Sequence, residues 1–263
     1  MSIQLLTYNN LNKYADSVRH FTSTRHGGVS TGKFSSFNLG NFTDDSAAFI
    51  VHNRNLLCQA LGISIENLVN AQQTHGTQVK IVDESFMEVS ASERKPLLHG
   101  FDAFITNLTG VCITVTTADC VPVLLFDPQT KVIAAIHSGW KSTLNNIVEE
   151  TIRLMHELYS TTPNNLVAAI GPCISKDVYE VGEELYEQFS LKGFPAHQLF
   201  SSKDNGKYLF DIRQSVQLQL QQAGVKNIEI STYCTYTHSD LFFSARRQGT
   251  ASGRMLSGIM IMG

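Results

Sequence analysis

Residues 121–126 (VPVLLF) and 132–136 (VIAAI) are apolar runs rich in branched side chains, separated by the turn-forming stretch DPQTK at 127–131. The pattern predicts a tight, buried strand hairpin. Antiparallel neighbours lie only about 5 Å apart, so the two open ends of such a hairpin must meet. Cys120, just before the first run, and His137, just after the second, are therefore expected to be close in space.

Helical spacing follows elsewhere. From Ser46, an N-cap type, Phe49, Asn53, Leu56, Leu57 and Leu61 recur on one period and Gly62 stops it; Arg54 lies on the same helix. The clearest stripe comes after His137, with Leu144, Ile147, Val148, Ile152, Met155, Leu158 and Tyr159 at spacings of three and four. A third helix is expected over residues 177–190, with Val178, Val181, Leu185 and Phe189 on one side. A fourth opens at Asp211, where Gln214 completes a capping box, and stops at Gly224. Strand-like stretches fall at 68–71, 78–82, 103–106, 111–117, 166–170, 228–232 and 255–262. Strands and helices mix without a strict strand–helix–strand rhythm. The expected fold is α+β, three layers around a mixed β-sheet with flanking helices. Neither repeat nor linker divides the chain, and residues 1–263 are read as a single domain.

Composition narrows the function classes. With 43% hydrophobic and 16% charged residues the chain can bury a sizeable core. A net charge of −3, with no basic cluster longer than Arg246-Arg247, gives no electrostatic case for nucleic acid. No apolar run approaches the roughly 20 residues that span a bilayer. The first residues lack the basic start and apolar block of a signal peptide. Five widely spaced cysteines without a CxxC pair suit a reducing compartment. The cytoplasm is the expected address, with no membrane partner.

A thiolate beside an imidazole at a hairpin's open end is either a metal site or a cysteine–histidine catalytic pair. Catalytic zinc commonly takes three protein ligands and leaves one position open. The natural third donor is His75, in the polar turn QQTHGT between two strands, where a core histidine has little reason to be. Asp119, next to Cys120, is a candidate proton carrier. Gly139-Trp140-Lys141-Ser142 is not a phosphate loop, because Trp140 stands where backbone would approach phosphate, but a helix start beside Lys141 is a reasonable anion site. Arg246, Arg247 and Arg254, around glycine-rich turns, could hold phosphate, and Arg25 and Arg54 could join them.

Taken together, TSTRHGGVS with SSFNLG, VHNRNLL, QQTHG, TTADCVPVLLFDP, AAIHSGWKST, GPCIS, FDIR and FFSARRQGTASGR resemble the laccase-domain family of the YfiH type. That family was once described as polyphenol oxidases and later as purine nucleoside phosphorylases. The resemblance runs from residue 22 to 254. It implies metal ligands at His75, Cys120 and His137, a zinc cofactor, and a nucleoside pocket around Asn38, Arg54 and Arg246. It further implies phosphorolysis of adenosine, inosine, guanosine and methylthioadenosine, and hydrolytic deamination of adenosine. The chain departs from the family pattern at Thr74, where an aliphatic residue is common, and at Ala245, where an aromatic is common.

Three other readings compete. A multicopper oxidase needs about ten histidines, largely in His-x-His pairs, with geometry then selecting copper. Nine histidines and no such pair exclude it, although a His2Cys set alone does not exclude one copper. A cysteine hydrolase would use Cys120 as nucleophile and His137 as base, leaving His75 dispensable. A binding protein without turnover would keep the fold and have no purpose for three converging donors.

Overall fold

The computed structural model describes residues 2–263. The hairpin forms as expected: Val121–Asp127 pairs antiparallel with Val132–Ser138, Pro122 opposite His137 and Val121 opposite Ser138. Asp127 Oδ1 accepts the Gln129 N–H at 2.9 Å and so closes the turn.

Around this hairpin a six-stranded sheet runs in the order Asn227–Ile230, Val167–Ile170, Val121–Asp127, Val132–Ser138, Phe101–Thr106, Gln78–Ile81. Its end pairings are parallel and its central ones antiparallel. A five-stranded sheet holds Leu5–Leu6, Val18–Ser23, Met255–Ile261, Cys112–Thr117 and Leu68–Asn70, and a small three-stranded one holds Glu180–Val181, Tyr208–Phe210 and Phe200–Ser202. The fold is α+β with mixed sheets and flanking helices.

Alternation along the strands stacks these layers. Leu124, Phe126, Ile133 and Ala135 pack on Ile113, Val115 and Ile259 of the five-stranded sheet. Their neighbours Val123, Leu125, Ala134 and Ile136 face the other way, onto Ile147, Ile152, Val216 and Leu220. Those belong to the helices Ile147–Tyr159 and Ile212–Gln222. The helix Ala47–Leu61 covers the far side of the five-stranded sheet through Leu57, Cys58 and Leu61. The stack therefore runs helix, sheet, sheet, helix, because the strands divide between two sheets instead of forming one. Among the described residues no helix is long and apolar enough to cross a membrane.

Three elements differ from the periodicity. The stripe after His137 is two helices, Trp140–Leu144 and Ile147–Tyr159, broken at the left-handed Asn146. Gln219 donates to Thr143 O at 2.6 Å and to Asn146 Oδ1 at 2.8 Å, so a tertiary contact holds the break. Leu158, expected on the stripe, is exposed. The helix over 177–190 begins only at Glu183, because Glu180–Val181 is taken up by pairing with Tyr208–Phe210 and Gly182 caps the helix. The Val18–Ser23 strand, between Leu5–Leu6 and Met255–Ile261, carries no strand signature. Its His20, Thr22 and Ser23 are polar yet buried.

Thr22 is satisfied by Tyr8 and Ser257 at 2.7 and 2.8 Å, and His20 Nε2 accepts the Tyr8 N–H at 2.8 Å. An imidazolium cannot accept that bond. Burial holds the His20 pKa down at about 4, against the nearby Glu229 charge, which raises it. The folded value lies below that of a free histidine, so the unfolded chain takes up a proton that the native chain refuses. The contribution is intact above about pH 6.5 and is lost as pH falls toward 4. Urea unfolding at pH 7 and pH 4.5 should show about 2 kcal/mol more loss in the native chain than in His20→Gln. Equal losses would mean that His20 protonates within the fold.

Candidate metal centre

The hairpin delivers two of the three expected donors. His137 is the penultimate residue of its strand and Cys120 immediately precedes the facing one. Strand parity points His137 to the side of Ile133 and Ala135, toward the gap between the sheets. His75 arrives from a different direction. Its turn joins Leu68–Asn70 of one sheet to Gln78–Ile81 of the other, so it crosses the mouth of that gap. The residue is exposed and left-handed, with φ 61°. The donor atoms of His75, Cys120 and His137 all lie within 4.8 Å of one another. Cys120 Sγ is 3.8 Å from His75 Nε2, and the two imidazoles meet edge to face with centroids 4.8 Å apart.

The electrostatics favour a Cys120 thiolate beside a protonated His137, a pair from which a bound metal displaces the imidazole proton. Burial pushes the Cys120 thiol up, but the His137 charge and hydrogen bonds from His137 and His75 outweigh it and bring the thiol down to about 6. Burial pushes His137 down, and the Cys120 thiolate and Asp102 raise it to about 9. One thiolate and two imidazoles close enough to be reached by a single ion are donor chemistry that suits zinc and does not exclude a single copper. The residues fit that group.

The donors form the floor of a cavity of about 550 Å³. Of the other expected residues, Asp119, Arg246 and Arg254 line it. Asp119 is buried and left-handed, φ 96°. Its Oδ1 accepts the Thr235 hydroxyl at 2.6 Å and its Oδ2 the Arg246 N–H at 2.7 Å. Both oxygens thus already have partners, and Asp119 ties the Cys120 loop to the arginine segment. Ala245, where the family often has an aromatic, also lines the cavity.

Asn38, Arg54 and Lys141 are not on its wall. Asn38 braces the neighbouring loop: its amide donates to Thr43 and Asp45, and its oxygen accepts from the backbone of Gly40 and Arg254. Buried Arg54 donates to Leu39 O at 3.0 Å behind that loop. Lys141 is exposed, its Nζ 5.4 Å from the centre of the Trp140 ring. Arg25 stacks on Phe243 and Arg247 on Tyr236; the arginines that line the cavity are Arg254 and Arg246, the latter over the Tyr179 ring and donating to Glu180 O at 2.8 Å.

Several further residues shape the site. Phe42, Trp140 and Tyr179 give the cavity aromatic faces. Gln73 is pinned by Thr116, accepting its N–H at 2.7 Å and donating to its carbonyl at 2.9 Å. Asp102 accepts from His137 Nδ1 at 2.7 Å. Its signal was available: a carboxylate inside the apolar strand Phe101–Thr106 demands buried partners.

Stacked mixed sheets that bring a His2Cys group to the floor of an open cavity define a candidate metalloenzyme. The chain belongs to the family described as multi-copper polyphenol oxidoreductase laccase, whose model matches residues 19–262. It is 41% identical over 261 residues to a purine nucleoside phosphorylase of Bacteroides thetaiotaomicron, covering 98% of this chain and 96% of that one. It is 35% identical over 250 residues to an adenosine deaminase from an unknown prokaryotic organism, covering 94% and 95%. Among solved structures, the hypothetical protein YfiH of Bacillus licheniformis superposes with a TM-score of 0.89 at 27% identity, covering 97% and 96%.

Proposed function

We propose that the chain is a zinc-dependent purine nucleoside enzyme. In this reading it cleaves adenosine, inosine, guanosine and methylthioadenosine with phosphate, giving the base and ribose-1-phosphate or methylthioribose-1-phosphate. It also deaminates adenosine hydrolytically. The convergence of His75, Cys120 and His137 on the floor of a nucleoside-sized cavity carries the reading, and the purine-nucleoside names of its relatives support it.

His75, Cys120 and His137 would hold the zinc, which supplies Lewis-acid polarisation and acidifies water at neutral pH. The chain's own groups supply the rest. Phe42, Trp140 and Tyr179 offer faces on which a purine stacks. Arg246 and Arg254 bring positive charge to the same cavity and would hold phosphate. Asp119 fixes the Arg246 backbone and with it the direction from which phosphate is presented. Phosphorolysis forms a bond from phosphate oxygen to C1′ as the bond from C1′ to the purine nitrogen breaks, the electron pair leaving with the base.

A specific observation favours a second reading. Cys120, His137 and Asp102 are connected as nucleophile, base and orienting carboxylate, with the thiol pKa brought down to about 6. A cysteine hydrolase would use that chain of contacts and no metal.

The test is direct. Elemental analysis of purified protein should find about one zinc per chain. With adenosine, inosine should appear without phosphate, and adenine with ribose-1-phosphate only when phosphate is added. Full activity in metal-free protein would move the assignment to the cysteine nucleophile. Stoichiometric copper with a strong blue absorption would move it to electron transfer. Inactivity toward every nucleoside would refute the substrate class.

A further inference from the structure

We propose that Asp102 is the positioning residue for both histidine donors: one carboxylate sets the tautomer of His137 and holds the backbone turn that presents His75. The inference rests on the metal reading above. Asp102 is fully buried on the strand Phe101–Thr106. Ala103 pairs with Ile136, which brings Asp102 alongside His137.

Oδ1 serves two donors, and Oδ2 serves two backbone N–H groups with the Thr74 hydroxyl at 3.5 Å. Oδ1 accepts His137 Nδ1–H at 2.7 Å and the His75 N–H at 3.0 Å. Oδ2 accepts the Thr74 N–H at 3.1 Å and the Gly76 N–H at 2.8 Å. Three consecutive backbone N–H groups thus converge on one anion, which is what a left-handed residue inside a turn produces. His75 is that residue, at φ 61°. A non-glycine residue in this conformation costs about 1 kcal/mol or more, and the three hydrogen bonds to Asp102 offset it. On the other side of the same carboxylate, a proton kept on His137 Nδ1 leaves Nε2 with its lone pair free for a metal.

The arrangement makes Asp102→Asn informative, because its imidazole and three backbone partners are all donors and an amide presents only one acceptor oxygen. If the amide nitrogen faced Thr74 and Gly76, two fixed backbone N–H groups would oppose it with no relief. If it faces His137, only one fixed N–H, that of His75, opposes it, and the imidazole relieves the rest of the conflict by moving its proton to Nε2. The second orientation is favoured, and it removes the metal's lone pair while keeping the fold.

Two measurements test this. In zinc-loaded wild type, nitrogen-15 histidine spectra should place the His137 proton on Nδ1, slowly exchanging, with Nε2 shifted by the metal. In Asp102→Asn, zinc affinity measured by chelator competition should fall 10- to 100-fold. A His137 proton on Nε2 in the loaded wild type, or an Asn variant that binds zinc as tightly as wild type, would overturn the proposal. Should the variant not fold, the wild-type spectrum decides alone. Wild type that binds no zinc would sink the metal reading itself, an outcome distinct from tight zinc binding that ignores Asp102.

Discussion

Replacing His75 with alanine is expected to strip the metal and abolish nucleoside turnover while the protein stays folded. The side chain is exposed, at the mouth of the intersheet gap, and its ring meets the edge of the His137 imidazole. Its removal leaves Cys120 and His137 as the remaining protein donors of the group. Loss of an outer partner of a ligand typically costs 10–100-fold in metal affinity, so loss of the ligand itself should exceed about 100-fold. Zinc content after dialysis against a weak chelator, turnover of adenosine with and without phosphate, and a thermal melt check it. A folded variant that loses zinc and both activities supports the three-donor centre. One that keeps turning over nucleosides refutes the ligand assignment, and one that retains thiol-dependent hydrolysis favours the cysteine reading.

Gly139→Ala should have nearly as large an effect on the metal through a residue that donates nothing. Gly139 caps the short helix Trp140–Leu144 with φ −81° and ψ 174°, a conformation any residue adopts, so no backbone strain is involved. A Cβ there would lie 2.7 Å from His75 Cδ2 and 3.1 Å from Cys120 Sγ. The His75 ring is on a surface turn and can swing aside, whereas Cys120 is held by the hairpin and by the Asp119 contacts. The added methyl group therefore displaces a ligand and leaves the core alone. Zinc affinity is expected to fall at least tenfold, with stability changed by no more than about 1 kcal/mol. Wild-type affinity in this variant would show that the donors close around a methyl group. A collapse of the melting temperature would show that Gly139 is needed for packing instead.

The donors themselves were legible because hairpin geometry is local. Two apolar runs and a five-residue turn suffice to bring Cys120 to His137, whatever surrounds them. His75 was found by its misfit, a histidine in a polar turn. The substrate contacts were harder to read. Arg54 and Asn38 lie in family motifs beside the cavity, yet they hold its loop from behind, and of the expected cations Arg246 and Arg254 line it. Sequence shows that an arginine is present but not which way its flexible stem carries the guanidinium.

Side-chain periodicity alone thus determined the hairpin, the helices at 47–61 and 212–222, most strands to within a residue or two, and the α+β class. Each of these depends on contacts within a few residues, where hydrophobic spacing and caps are decisive. Tertiary structure decided the division of strands into two stacked sheets, the Val18–Ser23 strand whose polar residues find partners only in the fold, and the break at Asn146 held by Gln219. It also decided Asp102, which joins His137 to the His75 turn across 35 and 27 residues of chain. A buried polar group is stable only when its partners are in place. Those partners come from distant segments, so no local pattern could announce them.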